Sequence, residues 1–122
     1  MMTGKAWLPL VLLCWSVLAH PVRAVDGDTF DALVDVWLGF GSRVVQFPER
    51  VRVLGVDTPE RGQPGYEDAL LFARQWLAKG DVNLRVCGRD FNGRILSPAT
   101  RGDEDLATLL QANGLTKAKG TR

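Results

Sequence analysis

The stretch from Arg50 to Glu60, Arg-Val-Arg-Val-Leu-Gly-Val-Asp-Thr-Pro-Glu, constrains the fold more than any other part of the chain. Its Val and Leu residues alternate with arginines, which predicts a β-strand. Pro59 has no backbone N–H and disfavours helical geometry at the residue before it, so we expect the strand to end at this point. The sequence therefore predicts a rigid strand end that carries the carboxylates of Asp57 and Glu60 close to the guanidinium of Arg52.

The N-terminus has the pattern of a secretory signal peptide. Lys5 supplies a positive charge, an apolar stretch follows, and Val17-Leu18-Ala19 matches a small-residue cleavage site. The apolar stretch is short for a membrane span. We therefore expect residues 1–19 to be removed and the protein to be exported, either secreted or periplasmic. Cleavage after Ala24 and an uncleaved membrane anchor are the alternatives, and no stable membrane association is expected after cleavage.

The remaining residues, 20–122, have room for one domain and one core. Loss of the leader would leave 14 acidic residues and an equal number of basic ones, so bulk charge does not indicate a polyanionic partner. Only Cys87 would survive, so we expect no intrachain disulfide and a buried, inert thiol. His20 would stand alone at the new N-terminus in solvent, and there is no His or Cys pattern for zinc.

The first half of the chain predicts a three-stranded meander. Gly27 lies between two aspartates and predicts a bulge or a close backbone approach within the first strand, while Pro48-Glu49 is expected to break or bulge the third. Two glycines after Trp37 predict a turn. We expect strands over 21–30, 31–37 and 43–56.

The second half mixes helices with a hairpin. Apolar spacing predicts a helix from Gln63 to Gly80. Asn92-Gly93 is a strong hairpin pattern between a predicted strand over 81–89 and a return strand that begins at Arg94. Asp103 is expected to cap a second helix. This order predicts an α+β fold with an antiparallel sheet. A small five-stranded barrel of the OB type and an open sheet packed on helices both fit the periodicity.

Three aspartates indicate a cation site. Asp26 and Asp28 have the same strand parity on either side of a glycine, and Asp57 stands at another strand end. Carboxylates that converge from separate strands repel one another unless a cation joins them, and oxygen ligands suit Ca²⁺ or Mg²⁺. The alternative is that Asp-Gly-Asp-Thr is simply a turn.

Two arginines and a glutamate complete a set that could act on a phosphodiester. The guanidinium groups of Arg52 and Arg94 match phosphate oxygens in a bidentate way. Glu60 lies just beyond a proline-fixed turn and is a candidate general base, or alternatively a carboxylate favoured at a helix N-terminus. Arg52 and Asp57 have opposite strand parity, so a shared site requires an irregularity, for which Gly55 is a candidate.

Three separated motifs resemble those of the staphylococcal nuclease-like (thermonuclease) family. They are Val-Asp-Gly-Asp-Thr at 25–29, Arg-Val-Leu-Gly-Val-Asp-Thr-Pro-Glu at 52–60 and Asp-Phe-Asn-Gly-Arg at 90–94. Residues 103–115 are similar to the second helix of that family and its Gly-Leu exit. The resemblance covers nearly all of the predicted mature chain.

The resemblance implies an OB-fold-like five-stranded barrel with two helices and a Ca²⁺-dependent nuclease that cleaves DNA and RNA to 3′-phosphorylated ends. Asp28 and Asp57 match the calcium carboxylates, and Thr58 matches the residue that lends a backbone carbonyl. Glu60 matches the base that activates water, while Arg52 and Arg94 match the arginines that stabilise the phosphate.

The chain departs from the family pattern because it ends soon after the second helix, where the family continues into a third. Two alternatives therefore stay open. One is an inactive nucleic-acid or protein-binding module of the same fold, and the other is a truncated copy that folds poorly. The sequence does not determine the preference between DNA and RNA, or the oligomeric state.

Overall fold

The computed structural model describes residues 14–39 and 44–117, and these form an α+β fold with two helices. None of the helices in this part of the chain is long and apolar enough to cross a membrane. The elements in chain order are β1 Trp15–Asp26, β2 Thr29–Trp37, β3 Val44–Val53, α1 Tyr66–Leu77, β4 Val82–Val86, β5 Gly88–Arg89, β6 Ile95–Ser97, β7 Ala99–Arg101, β8 Glu104–Asp105 and α2 Leu106–Ala112.

The strands form one mixed sheet with the order β5-β6-β3-β2-β1-β4-β7-β8. All pairs are antiparallel except β3 with β6, which run parallel. The α+β class and the N-terminal meander are confirmed. The five-stranded barrel is not confirmed, because the eight described strands make a sheet that does not close.

The bounds of the first two strands differ from the prediction. Asp26 pairs with Thr29, so Gly27 and Asp28 form the turn between β1 and β2. Of the two alternatives at Gly27, the bulge inside one strand is wrong, because the chain reverses there instead. The irregularities lie within β1, whose register against β2 shifts twice before the turn. Residues 38–39 leave β2 as predicted, and the rest of that turn lies outside the described residues.

The third strand is continuous, and the predicted break at Pro48 is wrong. Pro48 pairs with Leu33 of β2. It lies in the part of β3 that precedes the pairing with β6, which begins at Val51, so the described sheet has a partner on one side only at this point. A missing N–H is tolerated at such an edge position. The strand ends at Val53, and Gly55 follows with a φ of 91°.

The predicted strand over 81–89 is divided into β4 and β5 at Cys87. The Asn92-Gly93 hairpin is confirmed, because β5 pairs antiparallel with β6 around it. Pro98 separates β6 from β7, and the chain changes its strand partners there, so the proline interrupts no ladder. Asp105 stands at the N-cap of α2, and Asp103 lies in the preceding turn, so the predicted cap is wrong by two residues.

The strand β1 extends further towards the N-terminus than the sequence predicts. Residues Trp15 to Ala19 pair with β4, and Ala19 is fully buried in the core. Residues 1–13 of the predicted signal peptide lie outside the described part of the chain. Cleavage after Ala19 stays a prediction, and in this structure it would remove nearly half of β1.

Cys14 forms a disulfide with Cys87, across the paired ends of β1 and β4. The expectation of no intrachain disulfide is wrong for the chain that carries Cys14. The prediction that Cys87 is a buried free thiol is also wrong, since the residue is exposed and bonded. Both expectations rested on removal of Cys14 with the leader.

His20 lies in β1 and links it to Asp35 of β2 and to Asp81, which precedes β4. The expectation of a solvated chain terminus is therefore wrong for His20. Its Nε2 lies 2.9 Å from Asp35 Oδ1, and its Nδ1 lies 2.9 Å from Asp81 Oδ1. These hydrogen bonds raise the pKa of His20 above its usual value, and the bond with Asp81 has the larger effect. The imidazolium form therefore contributes stability that is lost as the pH rises through this pKa.

We expect Cys87→Ser to lower the free energy of unfolding of the oxidised full chain by about 2–4 kcal/mol, because the disulfide closes a long loop in the unfolded state. The sequence separation of the two cysteines is 73. Urea unfolding followed by circular dichroism measures the difference. The same comparison in a reducing buffer is the control, in which the two chains should have nearly equal stability. An unchanged difference after reduction would contradict this account.

Candidate active site

The six residues that the resemblance matches to functional roles line one cavity. Its volume is about 510 Å³, and it opens where the β1–β2 turn, the end of β3 and the β5–β6 hairpin meet. Asp26, the third aspartate of the predicted cation site, and Arg61 complete its wall. The lining residues are Asp26, Asp28, Arg52, Asp57, Thr58, Glu60, Arg61 and Arg94.

Asp28 is the most buried charged group of this cavity, with 6% of its surface exposed. Its Oδ2 accepts a hydrogen bond of 3.0 Å from the backbone N–H of Thr58, and its Oδ1 accepts one of 3.1 Å from the hydroxyl of Thr29. A buried carboxylate without such donors would be costly. The side chain of Asp28 therefore attaches the Asp57–Glu60 turn to the β1–β2 turn.

Gly27 allows this close approach. A Cβ atom at Gly27 would lie 2.8 Å from Ala69 Cβ on α1 and 2.9 Å from both Cγ2 and Oγ1 of Thr58. Real side chains do not tolerate such distances, so only glycine fits between the helix and the Thr58 turn. The close backbone approach, which the sequence predicted at Gly27 as the alternative to a bulge, is confirmed.

Arg52 connects the end of β3 to the turn that follows it. Its Nη1 donates to the carbonyl oxygens of Val53 and Val56, and its Nη2 donates to Asp57 Oδ1 at 2.9 Å. The left-handed geometry of Gly55 turns the chain back, which brings Asp57 to the same side as Arg52. Arg52 and Asp57 have opposite strand parity, so a shared site was predicted to need a backbone irregularity between them. That irregularity is confirmed at Gly55.

Arg52 also lies near the other aspartate of the cavity. The distance between Arg52 Nη2 and Asp28 Oδ2 is 3.5 Å. One guanidinium therefore stands between the two carboxylates that the sequence assigned to a cation. Its 22% exposed side chain leaves part of the guanidinium open to the cavity.

Glu60 is mostly exposed and is held at two points. Its backbone N–H donates to Gln63 Oε1 at 2.7 Å, and its carboxylate Oε2 lies 3.2 Å from the ammonium of Lys117. The backbone N–H of Lys117 also donates to the carbonyl of Asp57 at 2.8 Å. Lys117 was missed by sequence analysis, because it lies in a polar tail with no periodicity and no motif.

Arg94 enters the cavity from the β5–β6 hairpin. Its Nε donates to Asp90 Oδ2 at 2.7 Å, and Asp90 Oδ1 accepts the backbone N–H groups of Asn92 and Arg94. Asp90 therefore sets both the turn and the direction of the arginine. About a third of the Arg94 side chain, 31%, is exposed.

The carboxylates of the cavity have the chemistry of a site for a hard cation. Burial raises the pKa of Asp26 above its usual value, and the negative charges of Asp28 and Glu60 raise it further. Such crowding of carboxylates, with oxygen ligands only, suits Ca²⁺. The hydroxyl oxygen of Thr58 is also buried without a hydrogen-bond partner. The donor types therefore fit a calcium ion.

The carboxylates, however, are farther apart in this structure than the ligands of a bound metal ion would be. Within residues 14–39 and 44–117, no group of three or more His, Cys, Asp or Glu side chains is close enough together to hold a metal ion. Asp57 is paired with Arg52, and the carboxylate of Asp28 accepts hydrogen bonds from the N–H of Thr58 and the hydroxyl of Thr29. A cation would therefore compete with Arg52 for Asp57 Oδ1, whereas the rest of this 67% exposed side chain is open to the cavity.

No family model matches the sequence, and no curated protein matches it either. The positions of the residues in the cavity come from the structure of this chain, and their roles are inferred from the chemistry of their side chains.

We expect Gly27→Ala to lower the free energy of unfolding by about 1–3 kcal/mol, because the added methyl group overpacks the contact with Thr58 and Ala69. Thermal unfolding by circular dichroism measures the loss. Gly88→Ala is the matched control, since a Cβ at Gly88 would meet no atom within 4 Å. Equal stability of the two variants would show that the Gly27 contact is looser than described.

Proposed function

We propose that the protein is a Ca²⁺-dependent phosphodiesterase that cleaves DNA and RNA, with 3′-phosphorylated ends as its products. The observation that carries the proposal is the convergence of Arg52, Arg94 and Glu60 with the carboxylates of Asp28 and Asp57 in one cavity. These residues come from three separate segments of the chain. If Asp-Gly-Asp-Thr were simply a turn, there would be no reason for the arginines and Glu60 to converge on it.

The two arginines would bind the scissile phosphate together, since they come from neighbouring segments that line the same cavity. Arg52 reaches the cavity from the end of β3, where two backbone carbonyls restrict its guanidinium, and Arg94 reaches it from the hairpin. Donors that are already oriented stabilise charge as it develops in the transition state without reorganising during the reaction. This preorganisation supports a role beyond binding of the substrate.

Glu60 is placed to act as the general base. Its carboxylate is 71% exposed at the cavity wall, so water reaches it, and its backbone is fixed by Gln63. The exposed carboxylate can accept a proton from a water molecule that attacks the phosphorus. Asp28, Asp57 and the carbonyl of Thr58 would hold Ca²⁺, which supplies positive charge to neutralise the phosphate oxygens.

We also propose that five of the strands correspond to an OB-type arrangement, in the order β6-β3-β2-β1-β4. The two outer members of this set approach each other, since the backbone N–H of Arg85 in β4 donates to Ser97 Oγ in β6 at 2.8 Å. A rolled meander of this kind supports nucleic-acid binding in OB folds. Export from the cell is part of the same proposal.

An inactive nucleic-acid-binding module is the second candidate. The ion pair between Arg52 and Asp57 favours it, because that contact occupies both a phosphate-binding group and a cation ligand. A module of this kind would bind single strands without hydrolysis. The first prediction below separates the two functions.

We expect the full chain to cleave single-stranded DNA with Ca²⁺, and to lose this activity in a chelator. Glu60→Gln should lower kcat by roughly 10²–10⁴, because the base is removed while the shape of the side chain is retained. Gel analysis and end-group mapping measure the rate and the 3′-phosphate product. Glu67→Gln, on the first turn of α1 and outside the cavity, is the control and should retain full activity. Binding without cleavage by the unaltered chain would favour the second candidate.

We expect Arg94→Lys to lower kcat by roughly 10² while weakening substrate binding much less, because an ammonium cannot make the bidentate contact with the phosphate. Arg94 is preferable to Arg52 for this test, since Arg52 also donates to two backbone carbonyls and its loss would disturb the turn. Steady-state kinetics give the two effects separately. Arg85→Lys, on an exposed position of β4, is the control. Equal losses in kcat and binding would contradict a transition-state role.

A further inference from the structure

A second cavity of about 540 Å³ adjoins the candidate active site. The two cavities share Asp26 and Arg94, so a ligand can extend from one into the other. The second cavity follows the outer side of the β1–β2 turn towards the hairpin between β5 and β6. Its lining residues are Val25, Asp26, Thr29, Arg50, Asn92, Gly93 and Arg94.

Arg50 supplies a positive charge to this cavity. Its Nε and Nη2 donate to the two carboxylate oxygens of Asp31, at 2.7 and 3.1 Å. Within the described residues the Nη1 group makes no hydrogen bond, and 45% of the side chain is exposed. Asp31 therefore holds the guanidinium in one orientation while part of its donor set remains available to an anion.

Asn92 lies across the cavity at the tip of the hairpin. Its backbone N–H is used by Asp90, at 3.0 Å, which orders the turn. Its exposed side-chain amide has one acceptor and two donor hydrogens, the pattern that can pair with the edge of a base. Val25 is partly exposed and adds apolar surface against which a base or sugar can lie.

Asp26 stands at the junction of the two cavities. A carboxylate at this point repels a phosphate placed between them, whereas Arg52, which lines only the first of the two cavities, and Arg50, which lines only the second, attract phosphates on either side. The arrangement of one acidic group between two basic groups therefore favours two separate phosphate positions along a strand.

We propose that the second cavity binds the nucleotide next to the scissile phosphate, with Arg50 on its phosphate and Asn92 beside its base. The ligand class is a single-stranded oligonucleotide of at least two phosphates. This inference rests on the proposed function, because it assigns the cavity to the same substrate.

Arg23 provides a matched control for Arg50. It also contacts Asp31, through its Nε at 3.2 Å, and it carries the same charge on the same face of the sheet. It does not line the second cavity, and its side chain is 65% exposed. Removal of either arginine takes one partner from Asp31, leaves the other, and lowers the net charge by one, so only Arg50→Ala should alter the subsite.

The test measures binding of a fluorescent pentathymidylate and of a thymidine phosphodiester with a single phosphate, in Ca²⁺, by anisotropy. All chains carry Glu60→Gln, so that the substrate stays intact. We expect Arg50→Ala to weaken binding of the pentamer roughly tenfold and to weaken binding of the monophosphodiester much less. The slope of log K against log salt for the pentamer should fall by about 0.7, the value for loss of one single-strand phosphate contact.

Arg23→Ala should change the pentamer affinity by less than twofold, with no change in slope. Equal effects of Arg23→Ala and Arg50→Ala would overturn the subsite, since both would then act through general charge. An equal loss for the short and the long ligand would also overturn it. Failure of the unaltered chain to bind or cleave any oligonucleotide would refute the proposed function itself, which is a different result. Arg50→Gln replaces Arg50→Ala if circular dichroism shows that the alanine variant is unfolded.

Discussion

The buried hydrogen bond from the Thr58 N–H to the carboxylate of Asp28 is the interaction on which the rest of the site depends. It joins two turns that are 30 residues apart in sequence, and it does so in a place where water cannot replace either partner. An unpaired buried carboxylate or amide would cost more than the bond itself contributes. The bond therefore determines where the Asp57–Glu60 turn lies. The bond can form only because Gly27 has no side chain that would collide with Thr58.

Arg52 has two roles that compete for one guanidinium. Its contacts with the carbonyls of Val53 and Val56 stabilise the bend after β3, while its contact with Asp57 satisfies a carboxylate that has no other strong partner among the described contacts. The first set of contacts uses Nη1 and the second uses Nη2, so the two nitrogen atoms of one guanidinium serve different partners. Under the proposed function, Nη1 would keep the side chain oriented while Nη2 exchanges Asp57 for the phosphate.

The site also depends on the two ends of the described chain. Residues Trp15 to Ala19 extend β1 along β4, and the disulfide of Cys14 fastens that extension to the strand that leads to the Arg94 hairpin. After α2, Lys117 returns to the Asp57–Glu60 turn and contacts it through both its backbone and its side chain. Stability in these outer segments is therefore coupled to the geometry of the cavity, and a change in either segment can alter the site without touching its residues.

The sequence by itself determined the class of the fold, the meander and the hairpin at Asn92-Gly93. These depend on local chemistry: strand alternation and the restrictions of proline and glycine. The motifs also indicated the six candidate residues, but only the tertiary structure brings them from three segments into one cavity. Only the tertiary structure decided that β3 continues through Pro48 and that His20 lies between two aspartates. It also decided that Cys14 belongs to the sheet and that Lys117 contacts Glu60. Each of these depends on a partner distant in sequence, and no local pattern of residues encodes the identity of that partner.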